Sequence, residues 1–162
     1  MSTHGALIVI GSGLGVGRNT AATFASKGFK HILLLSRDPS RIQDDVKFVK
    51  SKSSDAHVET LAIDAAASED ELKKTFKDID GVLKKWGVPL EVLLYNAARV
   101  GPSKPMSFPA ETLATDLKMN AVSLYITLQH FIPSLLSNSS EQKSTVLVTS
   151  GGLYKEPVAE LF

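Results

Sequence analysis

The sequence predicts an α/β fold, a doubly wound parallel sheet of about five strands flanked by helices, in one domain over residues 1–162. Three observations predict it. Short apolar runs alternate with amphipathic segments along the whole chain, which is the pattern of a parallel sheet covered on both faces. A glycine-rich turn, GSGLGVGRN, follows the first run directly. The chain has no repeat, linker or low-complexity tract that would divide it.

The elements follow in order. Ala6 to Ile10 is wholly apolar, as expected of a strand buried on both faces. A helix from about Gly15 to Lys27 follows the glycine turn and stops at Gly28. His31 to Leu35 is the second strand, and Pro39 suits the first turn of a helix reaching about Lys52. HVETLAID is a third, less apolar strand, expected nearer a sheet edge. Ser68 and Glu71 form a capping-box pattern. The helix behind them spaces Leu72, Phe76, Ile79, Leu83 and Trp86 along one face. LEVLLYN is the fourth strand. A Pro/Gly/Ser loop from Arg99 to Pro109 leads to one or two helices ending near Ser137. TVLVTS reads as a fifth, buried parallel strand.

Composition narrows the function. The net charge is +1, the hydrophobic fraction 43% and the charged fraction 22%, which gives no electrostatic case for nucleic acid or an anionic membrane. Cysteine is absent, which excludes disulfides, thiolate catalysis and cysteine metal sites. His4, His31, His57 and His130 show no ligand spacing, so no metal is expected. No stretch is long and apolar enough to span a bilayer. The start of the chain reads as a first strand and not as a signal peptide, so the expected location is cytoplasmic.

In a doubly wound sheet the ligand crevice lies beyond the C-terminal ends of the strands. Gly11, Ser36, Asp64, Asn96 and Ser150 all fall at such ends. Glycines let a turn bend sharply and approach a phosphate, and the helix N-terminus behind them offers free N–H groups. GxGxxG fails here because position 16 is Val. GxxxGxG fits, as Gly11, Gly15 and Gly17, so a diphosphate site is expected over Gly11, Ser12, Gly13, Gly15, Val16 and Gly17.

With these residues the chain resembles the short-chain dehydrogenase/reductase family, with Ile10 where the family usually has Thr. The resemblance runs over essentially all of the chain and implies its cofactor-binding portion. Asp64, with Ala65, matches the family aspartate that contacts adenine. YNAA resembles the family's NNAG, with Asn96 and Ala97 matching and Ala98 replacing Gly. Asn120 and Ser150 match the asparagine and serine of the family's Asn-Ser-Tyr-Lys catalytic set. The resemblance implies hydride transfer between a nicotinamide cofactor and a small-molecule carbonyl or alcohol. The serine would hold the substrate oxygen, and the asparagine would organise a proton relay.

The end of the second strand bears on the cofactor. A carboxylate there would accept from a ribose 2′-OH and repel a 2′-phosphate. This chain has Ser36 and Arg37, and a guanidinium pairs well with phosphate, so NADP is expected in preference to NAD. Arg41 and Arg18 are further cations within reach.

The general acid of the resembled family is a tyrosine with a lysine four residues on. Tyr95, Tyr125 and Tyr154 are the three tyrosines, and none opens a Tyr-x-x-x-Lys motif. The chain therefore reads as truncated before that motif, with an uncertain catalytic status. The alternative is a non-catalytic NADP-binding or interaction protein. The fifth strand is then expected to become an edge, and the helix carrying Leu124, Leu128, Phe131, Ile132 and Leu135 to lose packing partners. A homo-oligomer or another chain covering that strand would follow.

Overall fold

The computed structural model describes residues 4–99, 106–138 and 143–150. Five parallel strands form one sheet: β1 (Ala6–Ile10), β2 (His31–Ser36), β3 (His57–Ala62), β4 (Leu90–Tyr95) and β5 (Thr145–Val148). Their spatial order is β3-β2-β1-β4-β5. Three helices, α1 (Val16–Ser26), α2 (Pro39–Lys52) and α3 (Glu69–Trp86), connect the first four strands. The chain passes from β3 across the sheet to β4 beside β1. The switch point of the doubly wound arrangement therefore lies between β1 and β4.

Burial explains the strand compositions. Every residue of β1 and β4 is buried, with helices over both faces. Glu91 is the one charge in β4, and its carboxylate accepts from the Gly5 amide at 2.6 Å and lies 3.1 Å from His4 Nδ1. β3 is the outer strand beyond β2 and is only partly covered, in keeping with its mixed sequence.

The helices end where their caps allow. Asp38 caps α2 by accepting from the Ser40 amide at 2.9 Å. Ser68 and Glu71 form both bonds of the capping box on α3, and Gly87 closes that helix in the left-handed region at φ 67°. On α3, Leu72, Phe76 and Ile79 are buried, and Leu83 and Trp86 pack at the margin of the same cluster. The helical segment before β5 is not uniform. α4 (Ala110–Leu117) passes into a wider π-helical turn, Lys118–Val122, and then into α5 (Ser123–Leu136). The Ser123 hydroxyl donates to the Ala65 carbonyl, tying α5 to the loop after β3.

Two expectations are corrected here. β5 is parallel, as expected, but it is not buried: Val146 and Val148 are exposed, and Leu147 alone packs against the core. Among the described residues nothing pairs with its outer side. Likewise, most of the named face of α5 keeps its partners. Phe131 and Leu135 are buried, and Leu124 and Leu128 pack against the same cluster. The uncovered stripe is instead Val122, Tyr125, Ile132 and Leu136. Apolar residues stand on both the covered and the uncovered side of this helix, so sequence alone did not separate the two. Among the described residues no helix is long and apolar enough to cross a membrane.

Candidate functional site

A cleft opens at the C-terminal ends of the strands, on the switch point. Gly11, Ser12, Gly13, Gly15 and Val16 line it from the first loop, and Ser36 and Arg37 from the end of β2. Ala65 lines it after β3, Asn96, Ala97 and Ala98 after β4, and Ser150 after β5. These loops meet because all five strands run the same way.

The glycines divide into two kinds. Gly11 has φ 95°, and a Cβ on it would lie 2.6 Å from the backbone of Asn96 and Ala97. A Cβ on Gly17 would lie 2.6 Å from the Gly11 carbonyl oxygen. Both are demanded by the packing of the protein itself. Gly17 is buried beneath the turn and is not part of the cleft wall. Gly13 and Gly15 face open space, with nothing within 4 Å of an added Cβ. Packing does not require glycine at either, although Gly15 is also the N-cap of α1, where glycine is favoured over alanine.

The helix behind the turn is also unusual. α1 has no side-chain cap, unlike α2 and α3, and no acidic residue in its first turn, unlike α3. Its first amides point into the cleft end with the positive pole of the helix dipole behind them. Asn96 holds the turn in place. Its amide nitrogen Nδ2 donates to the Gly11 carbonyl at 2.7 Å, and its backbone N–H donates to Ile10 at 2.7 Å.

Charge lines one side of the cleft. Arg37 and Arg41 are exposed on its wall, together with Asp38, Asp44 and Asp45. The Asp38 carboxyl is held below the usual range, chiefly by hydrogen bonds from the Ser40 side chain and backbone. Asp45 is buried and accepts from the Ser12 hydroxyl at 2.7 Å. Arg18 does not reach the cleft wall. Its guanidinium turns toward Asp45, at 3.9 Å, and lies 4.5 Å above the Phe48 ring. The expectation that Arg18 could serve a bound phosphate directly does not match this placement. Asp45 went unnoticed in the sequence, although it falls on the inward stripe of α2 between Ile42 and Val49, where an acid is out of pattern.

Three further residues have definite places. Asp64 is exposed and turns its Oδ1 to the Ala66 amide at 2.9 Å, closing its own loop, while its neighbours Ile63 and Ala65 line the cleft. Asn120 is exposed in the π-helical turn, and Met119 beside it lines the cleft. Widened turns of this kind often mark functional positions within helices. Ser150 lines the cleft just beyond β5.

No tyrosine, lysine or histidine lines the cleft among the described residues. Tyr95 is buried, and its hydroxyl donates to the Met119 carbonyl at 2.5 Å. Burial pushes its pKa up to about 12. Tyr125 is exposed on α5 with its hydroxyl accepting from Gln129 at 2.9 Å. Tyr154 lies outside the described residues. On the far side of the cleft, Arg99 makes a two-oxygen ion pair with Asp116, at 3.0 and 2.8 Å. It braces the loop after β4 against α4, a role that the sequence spacing did not suggest.

Comparison with known proteins gives one family. A family model described as short chain dehydrogenase matches residues 6–160. The chain is 26% identical over 147 residues to a very-long-chain 3-oxoacyl-CoA reductase of Pyricularia oryzae, covering 89% of this chain and 41% of that protein. It is 24% identical over 145 residues to 17-beta-hydroxysteroid dehydrogenase 13 of Rattus norvegicus, covering 90% of this chain and 46% of that protein. The chain thus spans less than half the length of these relatives. Among solved structures it resembles YwfH, an NADPH dependent reductase involved in bacilysin biosynthesis. That match has a TM-score of 0.79 at 21% identity, over 99% of this chain and 59% of that one. Levodione reductase matches with a TM-score of 0.80 at 19% identity, over 96% and 57%.

Proposed function

Because this chain belongs to the short chain dehydrogenase family, we propose that it binds NADP and serves hydride transfer to or from a small-molecule carbonyl or alcohol. One observation carries the binding half of the proposal. An uncapped helix N-terminus stands behind two glycines whose Cβ positions open onto empty cleft. Packing does not call for glycine at these positions, whereas a close-lying diphosphate does.

Each part of the chain then has a task. The amides of the first turn of α1 would hold the diphosphate. Arg37 and Arg41 would pair with a 2′-phosphate, and Ser36 leaves the end of β2 without the carboxylate that would repel it. Ile63 and Ala65 would form an apolar wall for the adenine, with Asp64 at its edge. Asn96 keeps the turn in shape, and Ala97 and Ala98 leave room along the floor. The nicotinamide, when bound, supplies or accepts the hydride. Ser150 would hydrogen-bond the substrate oxygen, and Asn120 would steady water in the π-helical turn for proton transfer.

A second reading is favoured by one observation: the described wall of the cleft holds no tyrosine, lysine or histidine. Tyr95 is committed to Met119 and is too weak an acid near neutrality. On this reading the chain binds the nucleotide without turning over substrate.

Fluorescence titration with NADPH and NADH, beside turnover assays on a panel of ketones and alcohols, tests both. NADPH binding tighter than NADH is the expected result. Turnover would select the oxidoreductase, and binding without turnover the second reading. No affinity for either nucleotide would overturn the proposal.

A further inference from the structure

The buried acid of α2 has no place in the expectations drawn from the sequence. Ile42, Asp45 and Val49 follow at three- and four-residue spacing, and all three are buried. A carboxylate in such a position is costly unless its oxygens are satisfied. Asp45 divides its two oxygens. Oδ2 accepts from Ser12 on the glycine turn at 2.7 Å, and Oδ1 lies 3.9 Å from Arg18 Nη1. The same side chain lines the cleft, one helical turn along α2 from Arg41.

Arg18 completes the arrangement from beneath. Its guanidinium stacks over Phe48, and its Nε is buried with no hydrogen-bond partner among the described residues. A guanidinium placed for hydrogen bonding would use its fork of donors. This one leaves Nε unused and contributes chiefly its charge, against the charge of Asp45. The pair is neutral in sum, so it adds no net charge to a cleft wall on which Arg37 and Arg41 stand beside Asp38 and Asp44.

We infer that Asp45 and Arg18 are positioning residues that set the choice between NADPH and NADH. The inference rests on the proposal that the cleft holds a nicotinamide nucleotide. Asp45 anchors the glycine turn through Ser12 and keeps Arg18 below the cleft. Each charge alone would tilt the site, an uncompensated Asp45 against a 2′-phosphate and an uncompensated Arg18 toward it.

The test uses the ratio of NADPH to NADH affinity, read by fluorescence titration at low ionic strength. Asp45→Asn keeps an oxygen for Ser12 and removes the negative charge, and the ratio is expected to rise about five-fold. Arg18→Met keeps a long side chain on Phe48 and removes the positive charge, and the ratio is expected to fall by about the same factor. The double variant returns the ratio near that of the unmodified chain. The effects of both single variants shrink when salt is raised, because the phosphate they act on lies in a cleft open to solvent. A role confined to stability would weaken both nucleotides together and leave the ratio in place. If Asp45→Asn does not fold, Arg18→Met still carries the test. A ratio unmoved by Arg18→Met, in a chain that binds NADPH, overturns this inference and leaves the proposed function standing. An unmodified chain that binds neither nucleotide overturns both.

Discussion

The side-chain amide of Asn96, at the end of β4, donates to the carbonyl of Gly11, at the end of β1, at 2.7 Å. This bond joins two loops that are distant in sequence and closes the floor of the cleft. Asn96→Ala leaves a partly buried carbonyl short of a donor, at a cost of about 1–2 kcal/mol in stability. NADPH affinity should fall as well, because the turn is free to drift. Chemical denaturation and nucleotide titration on the same variant measure the two effects.

The glycines of the first turn should separate into two classes. Gly11→Ala and Gly17→Ala place a Cβ 2.6 Å from backbone atoms, so both should destabilise the chain by about 2 kcal/mol or more. Gly13→Ala meets nothing within 4 Å and should leave the unfolding midpoint in place, whereas Gly15→Ala, equally free of contacts, puts alanine at the N-cap of α1 and should cost about 0.5–1 kcal/mol. Their NADPH affinity should nevertheless fall about ten-fold, since the added methyl occupies ground that a diphosphate needs. Equal affinity in the second pair would count against the cleft as the nucleotide site.

Arg37 stands exposed on the cleft wall next to Ser36. Arg37→Ala should weaken NADPH about ten-fold or more, the scale of a charge-assisted contact to phosphate, and leave NADH little changed. Parallel titrations decide it, and an equal loss for both nucleotides would contradict the assignment.

Tyr95 should titrate late. Its pKa is about 12 because burial disfavours the phenolate. The unfolded value is near 10, so the unfolded chain loses this proton first as pH rises. The contribution of Tyr95 to stability is therefore complete below pH 10 and is lost between 10 and about 12. Ultraviolet titration of tyrosinate should show a late component, absent in Tyr95→Phe. That variant should lose about 1 kcal/mol with the bond to Met119 and keep its nucleotide affinity.

At the other end of the sheet, His31 and His57 are cross-strand partners stacked with ring centres 5.7 Å apart. Burial, and secondly the charge of His57, hold the His31 pKa below 6.5. The folded chain therefore binds this proton less readily than the unfolded chain. Stability is complete above pH 6.5 and declines as pH falls through that value toward the lower folded pKa. The carboxylates follow only further down, Glu59 among them, held low first by Lys85 and also by Trp86. Unfolding midpoints measured from pH 7.5 to 5.5 should fall, and His31→Phe should flatten that slope.

Much of this was legible in the residues. β1 is apolar throughout and β2 and β4 nearly so because both faces are covered, and the glycine turn, Ser36, Asn96 and Ser150 sit at strand ends where parallel order gathers them. The capping box on α3 was legible because its partners are three residues apart. The edge position of β5 was expected from the sequence, and the strand order bears it out. What was hidden depends on long-range packing. The stripe of α5 that meets solvent depends on which of its apolar sides finds the sheet. The Asp45–Ser12 and Arg99–Asp116 pairings join residues 33 and 17 positions apart, and no local pattern marks them.

The strand order also has a consequence for biosynthesis. A chain leaving the ribosome can assemble β1, β2 and β3 with the two helices between them, since each piece meets one already made. The first turn is then present, but its floor is missing until β4 slots in beside β1 and delivers Asn96. Nascent chains shorter than that point should be unable to load a coenzyme, and chains just past it should become able to do so while still tethered.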